Sequence, residues 1–282
     1  MFDDLILHPR SRQLTERLAT HLPHGLIIEG ASGAGVRTVG IALARSIGAQ
    51  SFIIEPKKRV KGEMTVDLKE GSVIIDDIRQ LYQQTRTSQT ASHVYIIDTG
   101  ERSMTVAAQN AFLKLLEEPR QGLYFIIATH QYSNLLPTIT SRSQQLSLLP
   151  VTDEQTNELI DSLAIADATK RTRLAFVGRG LPALIKRLAG DEKLYESRVA
   201  IMRDAKTMLG NDIYEKLTVI HRYRDKRGDS LTLLEDMNHQ LQTIIRSQPD
   251  PRLVRDIARH LETQSRINAN ANIRLQLTAD VL

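Results

Sequence analysis

The sequence predicts an α/β domain built on a mainly parallel sheet, followed by two all-helical regions. Two observations carry this. Before Pro150, short apolar runs alternate with helical patterns: LIIE at 26–29, FIIE at 52–55, SVII at 72–75, HVYIID at 93–98 and LYFIIAT at 123–129. Buried strands joined through helices need crossover connections, which makes the sheet parallel and covers both of its faces. After Pro150 the strand signals stop and apolar residues recur at helical spacing.

Each element has its own signal. Leu26–Ile28 reads as a buried strand, and Gly30, Gly33 and Gly35 make a glycine turn that opens a helix of small and apolar residues. The apolar set Ala108, Ala111, Phe112, Leu115 and Leu116 marks the core face of another helix, and its charges Lys114, Glu117 and Glu118 read as a solvated face. LLPTIT at 135–140 is helix-like and QQLSL at 144–148 is a strand. Thr152 with Gln155 forms a capping box, and Asp167 opens a further helix. Three later apolar series predict long helices: Tyr195, Val199, Met202 and Leu209; Leu234, Met237, Leu241, Ile244 and Ile245; Leu253, Ile257 and Leu261. Gly210 and SQPDPR (247–252) punctuate them.

Composition excludes several classes. With no cysteine among 282 residues, disulfides and thiolate metal sites are ruled out, which is compatible with a reducing cytoplasm. The eight histidines lack ligand spacing. No apolar run is long enough to span a membrane, and MFDDLILHPR is not shaped like a signal peptide. A net charge of +4 permits nucleic-acid contact, whereas the scarcity of aromatic residues argues against base stacking along a single strand.

The glycine turn sits where a phosphate-binding loop would. A working loop, G-x-x-x-x-G-K-[ST], cradles phosphates on backbone N–H groups, with lysine on the β/γ-phosphates and a hydroxyl on magnesium. Aligned on Gly30 and Gly35, the chain has Val36 for the lysine and Arg37 for the hydroxyl; Arg37 and Thr38 would serve only in a loop one residue longer. Losing two charge-assisted bonds costs roughly 3–6 kcal/mol, or about a hundred- to ten-thousand-fold in affinity. Asp98 ends a later strand as an acidic partner should, but Thr99 stands where a glutamate would activate water. A general base typically contributes about 10²–10⁴-fold, so this is a second, independent loss. A tight strand–helix turn without nucleotide, and an Asp98 that serves as a cap, account for both.

Several co-linear stretches now carry a resemblance. LPHGLIIEGASGAG, VIIDDIRQLYQQ, AAQNAFLKLLEEP, LYFIIATHQYSNLLPTITSRSQQLSL and INANANIRLQL together resemble the clamp-loader AAA+ family, on its delta-prime branch, over nearly the whole length. The resemblance implies an AAA+ (P-loop NTPase-like) α/β domain with parallel sheet over 1–150, a small helical lid over 151–190 and an all-α collar over 191–282. It makes Val36 part of a degenerate Walker A loop and Asp98–Thr99 a degenerate Walker B pair, with Thr129 at the sensor-1 position. The family's four-cysteine zinc module is missing, so no zinc is expected, and Leu181–Leu184 offer no sensor-2 arginine. Ser141-Arg142-Ser143 keeps the arginine of the family's S-R-C motif. Arg142 is thereby implied to be an arginine finger acting in trans on ATP–Mg held by a neighbour, an effect worth about 10³–10⁵ in rate for GTPases.

The implied protein binds no cofactor tightly. It is a non-hydrolysing, cytoplasmic subunit that meets gamma/tau-like and delta-like subunits through the collar, and the sliding clamp and primer-template DNA through the complex. The competing reading is an active gamma/tau-like motor subunit working through Arg37 and Thr38. An unrelated kinase on the same loop leaves the collar-like helices and Ser141-Arg142-Ser143 unexplained.

Overall fold

A computed structural model describes residues 2, 4–60, 62–85, 91–118 and 120–281. The chain divides into two compact units, Met1–Ala189 and Gly190–Leu282. In the first, α1 (Pro9–Thr20) precedes β1 (Gly25–Gly30), α2 (Val36–Ser46) and β2 (Gln50–Ile54). A hairpin follows, β3 (Lys57–Val60) with β4 (Glu63–Val66), then α3 (Ile75–Gln84), β5 (His93–Asp98) and α4 (Val106–Glu117). The unit continues through β6 (Leu123–Thr129), α5 (Pro137–Thr140), β7 (Gln144–Leu148), α6 (Asp153–Ser162), α7 (Ala168–Gly178) and α8 (Pro182–Gly190).

The five-stranded sheet has the order β2-β5-β6-β1-β7, and every pairing is parallel. Its central strands are apolar on both faces because helices cover both. Leu26, Ile28, Val94, Ile96 and Ile126 enter one core with α2, and Ile27, Tyr95, Ile97, Phe125 and Ile127 enter the other with α3 and α4. Burying one such side chain contributes roughly 1.5–3 kcal/mol, so each continuous run fixes its strand as central.

One strand expectation fails. SVII at 72–75 makes only isolated bridges, Ser72 to Lys57 and Val73 to Met104, and Ile75 already belongs to α3. The reason is local: the Asp77 carboxylate accepts from the Ile74 N–H at 3.0 Å and caps the helix there. QQLSL supplies the fifth strand, and the interval before SVII holds the β3–β4 hairpin. Helix α6 opens on the expected reciprocal pair, Gln155 N–H to Thr152 Oγ1 at 3.2 Å and Thr152 N–H to Gln155 Oε1 at 3.1 Å. Asp167 likewise accepts from Thr169 N–H at 2.7 Å at the start of α7.

The second unit holds α9 (Glu192–Met208), α10 (Ile213–Tyr223), α11 (Arg227–Ser247), α12 (Pro251–Asn268) and α13 (Ile273–Val281). Ala205, Met208, Val219, Leu233, Leu234, Met237, Ile267 and Leu277 form its core. In α12, Leu253 and Ile257 are partly buried and His260, Thr263 and Ile267 continue the inward face, whereas Leu261 is 54% exposed and lies off it. A polar cluster lies on that face. His260 Nδ1 meets Asn238 Oδ1 at 2.7 Å, and Thr263 donates to Asp280 Oδ1 at 3.0 Å. Burial holds the His260 imidazole below its ordinary range and raises the Asp280 carboxyl. A buried bidentate pair, Arg198 with Asp236, joins α9 to α11. Tyr223 donates to Asp204 at 2.8 Å, and burial followed by that carboxylate raises the phenol above its usual value. Among the described residues no helix is long and apolar enough to cross a membrane.

Candidate functional site

The glycine loop leaves β1 at Gly30 and enters α2 through Gly33 and Gly35, at φ of +96° and +92°. Side chains disfavour this left-handed region, so glycine suits both positions. Val36, in the hook position, is 3% exposed and packs in one core with Ala34, Leu148 and Leu181. The position that should reach phosphate is therefore apolar interior. Thr38 is exposed.

Arg37 turns the other way. Its Nη1 lies 2.6 Å from Glu55 Oε1 and 3.6 Å from Asp98 Oδ2. Thus the guanidinium stands beside the carboxylate that would be expected to face magnesium. Asp98 is buried, and its Oδ1 accepts from Gly100 N–H at 3.0 Å, the local cap expected of it. Thr99 is buried too, with its N–H given to Ala128 O at 3.0 Å. Thr129 ends β6, and its hydroxyl oxygen accepts from Gln131 N–H at 3.1 Å. Among the described residues no three potential ligands converge as a metal cluster.

The loop also carries the first turn of α8. Gly33 O accepts from Ala183 N–H at 2.9 Å and from Leu184 N–H at 3.3 Å, and Leu181 is buried beneath. Nothing in the sequence pairs these segments, about 150 residues apart, because the contact uses backbone atoms and two ordinary leucines.

Arg142 lies at the other rim of the sheet. It stands two residues before β7, and its carbonyl lies 3.2 Å from where a Cβ on Gly25, the first residue of β1, would be. Strands β1 and β7 are parallel, and the loop leaves the far end of β1 at Gly30. Five residue steps at about 3.3 Å place roughly 16 Å of sheet between them. The Arg142 side chain is 39% exposed; its Nη2 is 3.0 Å from Glu117 Oε1 and its Nη1 donates to Thr138 O at 3.0 Å. Glu117 is on the solvated face expected of it, and because α4 ends on the rim where β7 begins it also pairs with Arg142 there. Buried Gln109 steadies the segment leading there, donating to Asn134 O at 3.0 Å and accepting from Leu136 N–H at 2.7 Å.

A parallel sheet of this order, with a glycine turn after its first strand and a helical segment seated on that turn, defines the AAA+ type of P-loop fold. A DNA polymerase III gamma-subunit-related protein from Thermotoga maritima shares the fold, with a TM-score of 0.50 at 18% identity over 96% of this chain and 97% of that one. Residues 9–152 match the family described as DNA polymerase III, delta subunit, and the chain belongs to that family. Within it the likeness is to the delta-prime subunit. That subunit of Pseudomonas aeruginosa is 29% identical over 173 residues, 61% of this chain and 49% of the relative. That of Haemophilus influenzae is 31% identical over 177 residues, 57% of this chain and 54% of the relative. The chain spans about half the length of these relatives.

Proposed function

We propose that the chain is a delta-prime-type clamp-loader subunit that hydrolyses no ATP of its own and lends Arg142 to ATP held by a neighbouring subunit. The observation that carries this is the placement of Arg142 on the rim opposite its own loop, roughly 16 Å along the strands and out of reach of anything bound there. A phosphate met by a guanidinium so placed would have to be brought by another molecule. The buried Val36 and Thr99 and the engaged Arg37 support the non-hydrolysing half of the proposal. They also weigh against a motor subunit working through Arg37, whose guanidinium faces two carboxylates. The partners proposed are gamma/tau-like and delta-like subunits, with the sliding clamp and primer-template DNA met through the complex.

Reconstitution with the cognate gamma/tau-type and delta-type subunits tests this. Arg142→Ala is expected to leave folding and assembly intact while sharply lowering DNA-stimulated ATP turnover and clamp loading. Arg142→Lys is expected to rescue poorly, since lysine presents a point charge and no planar fork. An unchanged rate with Arg142→Ala would sink the proposal.

A further inference from the structure

An arginine that must meet a phosphate across an interface is most effective when its fork is oriented beforehand. A free arginine samples many rotamers, and fixing one upon encounter costs entropy. Here three groups meet the fork. Thr138 O, in α5, takes Nη1 at 3.0 Å, and Ser141 Oγ lies 3.5 Å from the same nitrogen. Glu117 Oε1, from the last residue of α4, takes Nη2 at 3.0 Å. Glu117 is 48% exposed, so its carboxylate braces the guanidinium from the side without covering it. Its location follows from the topology: α4 returns from the loop end of β5 to the start of β6, so its last turn reaches the rim that carries Arg142.

We infer that Glu117 is a positioning residue for Arg142, presenting the guanidinium to the neighbour's phosphates. This rests on the proposed function of Arg142 and adds a second residue to that edge. The carboxylate touches no reacting atom; it acts through the arginine. An exposed ion pair is a modest brace, so its loss should lower the Arg142-dependent turnover roughly two- to fivefold. The loss should fall on kcat, because the ATP is bound by the neighbour. Gln keeps an oxygen acceptor of the same reach, so Glu117→Gln should retain part of what Glu117→Ala loses.

The test is DNA-stimulated ATPase of the reconstituted complex carrying Glu117→Ala, Glu117→Gln, Arg142→Ala or Glu117→Ala with Arg142→Ala. The expected result is a kcat loss with KM for ATP unchanged, graded Ala below Gln, and no added loss from Glu117→Ala once Arg142 is gone. A further loss in the Arg142→Ala background would make Glu117 merely structural and overturn the inference. So would wild-type kcat for Glu117→Ala while Arg142→Ala is impaired. If Arg142→Ala itself is unimpaired, the function proposed for the arginine fails first, and the two failures are told apart.

Discussion

Gly33→Ala is expected to unseat α8 from the glycine loop, and Gly35→Ala is its built-in control. Both glycines sit at positive φ, +96° and +92°, so alanine at either one bears the left-handed strain of about 1–2 kcal/mol. Their surroundings differ. A Cβ on Gly33 would lie 2.6 Å from Leu184 Cβ, closer than real side chains tolerate, and a tight 3.2 Å from Leu184 N. At Gly35 the nearest such atom, Thr38 Cβ, is 4.0 Å away. Relief at Gly33 requires α8 to move, stretching the bonds from Ala183 and Leu184 to Gly33 O, each worth about 1 kcal/mol. The expected cost is therefore about 3–4 kcal/mol for Gly33→Ala against about 1–2 for Gly35→Ala. Amide hydrogen exchange reads the seat locally, which avoids assuming that a chain of two units unfolds in one step. Ala183 and Leu184 should exchange about 30-fold faster in Gly33→Ala for about 2 kcal/mol of lost local protection, and little faster in Gly35→Ala. Equal exchange at these two amides in both variants would mean that α8 is not seated through Gly33.

Two further outcomes follow from buried positions. Val36→Lys should lower stability by several kcal/mol, because an ammonium replaces an apolar side chain in a full core, and should release no phosphate from ATP while Thr99 remains; urea unfolding and a phosphate-release assay check both halves. Tyr223 keeps its proton in the folded chain to a higher pH than in the unfolded chain, whose phenol titrates near 10. Its contribution is thus complete below pH 10 and is lost as pH rises above it, by up to about 1.4 kcal/mol per pH unit. Comparing urea midpoints at pH 9 and pH 11, Tyr223→Phe should show a shallower alkaline decline than the parent.

The sequence was most legible where local chemistry decides the outcome. Leu26–Ile28, His93–Asp98 and Leu123–Thr129 are strands because unbroken apolar runs need cover on both faces, and Thr152 with Gln155 is a cap that any isolated helix would use. The misreadings arose where neighbours outvote the pattern. Val73–Ile75 is as apolar as a strand, but Asp77 captures its backbone for a helix. Leu253 and Ile257 lie on the inner side of α12, but that side continues through polar His260, which meets Asn238 and Asp280, and leaves Leu261 outside. In the site, the replacements at Val36, Arg37 and Thr99 can be read in one dimension. The partners of Arg37, the seat of α8 on Gly33 O and the brace of Glu117 on Arg142 cannot, since each joins residues from separate elements.

The Arg37 arrangement has a consequence for ions. Because the guanidinium is tethered to α2, Asp98 and Glu55 experience it at a standing effective concentration on the order of millimolar or above. A divalent cation from solution would compete with a resident that cannot diffuse away and whose positive charge already offsets theirs. The carboxylates at the end of β5 and beside β2 thus have a counter-charge that the chain itself supplies.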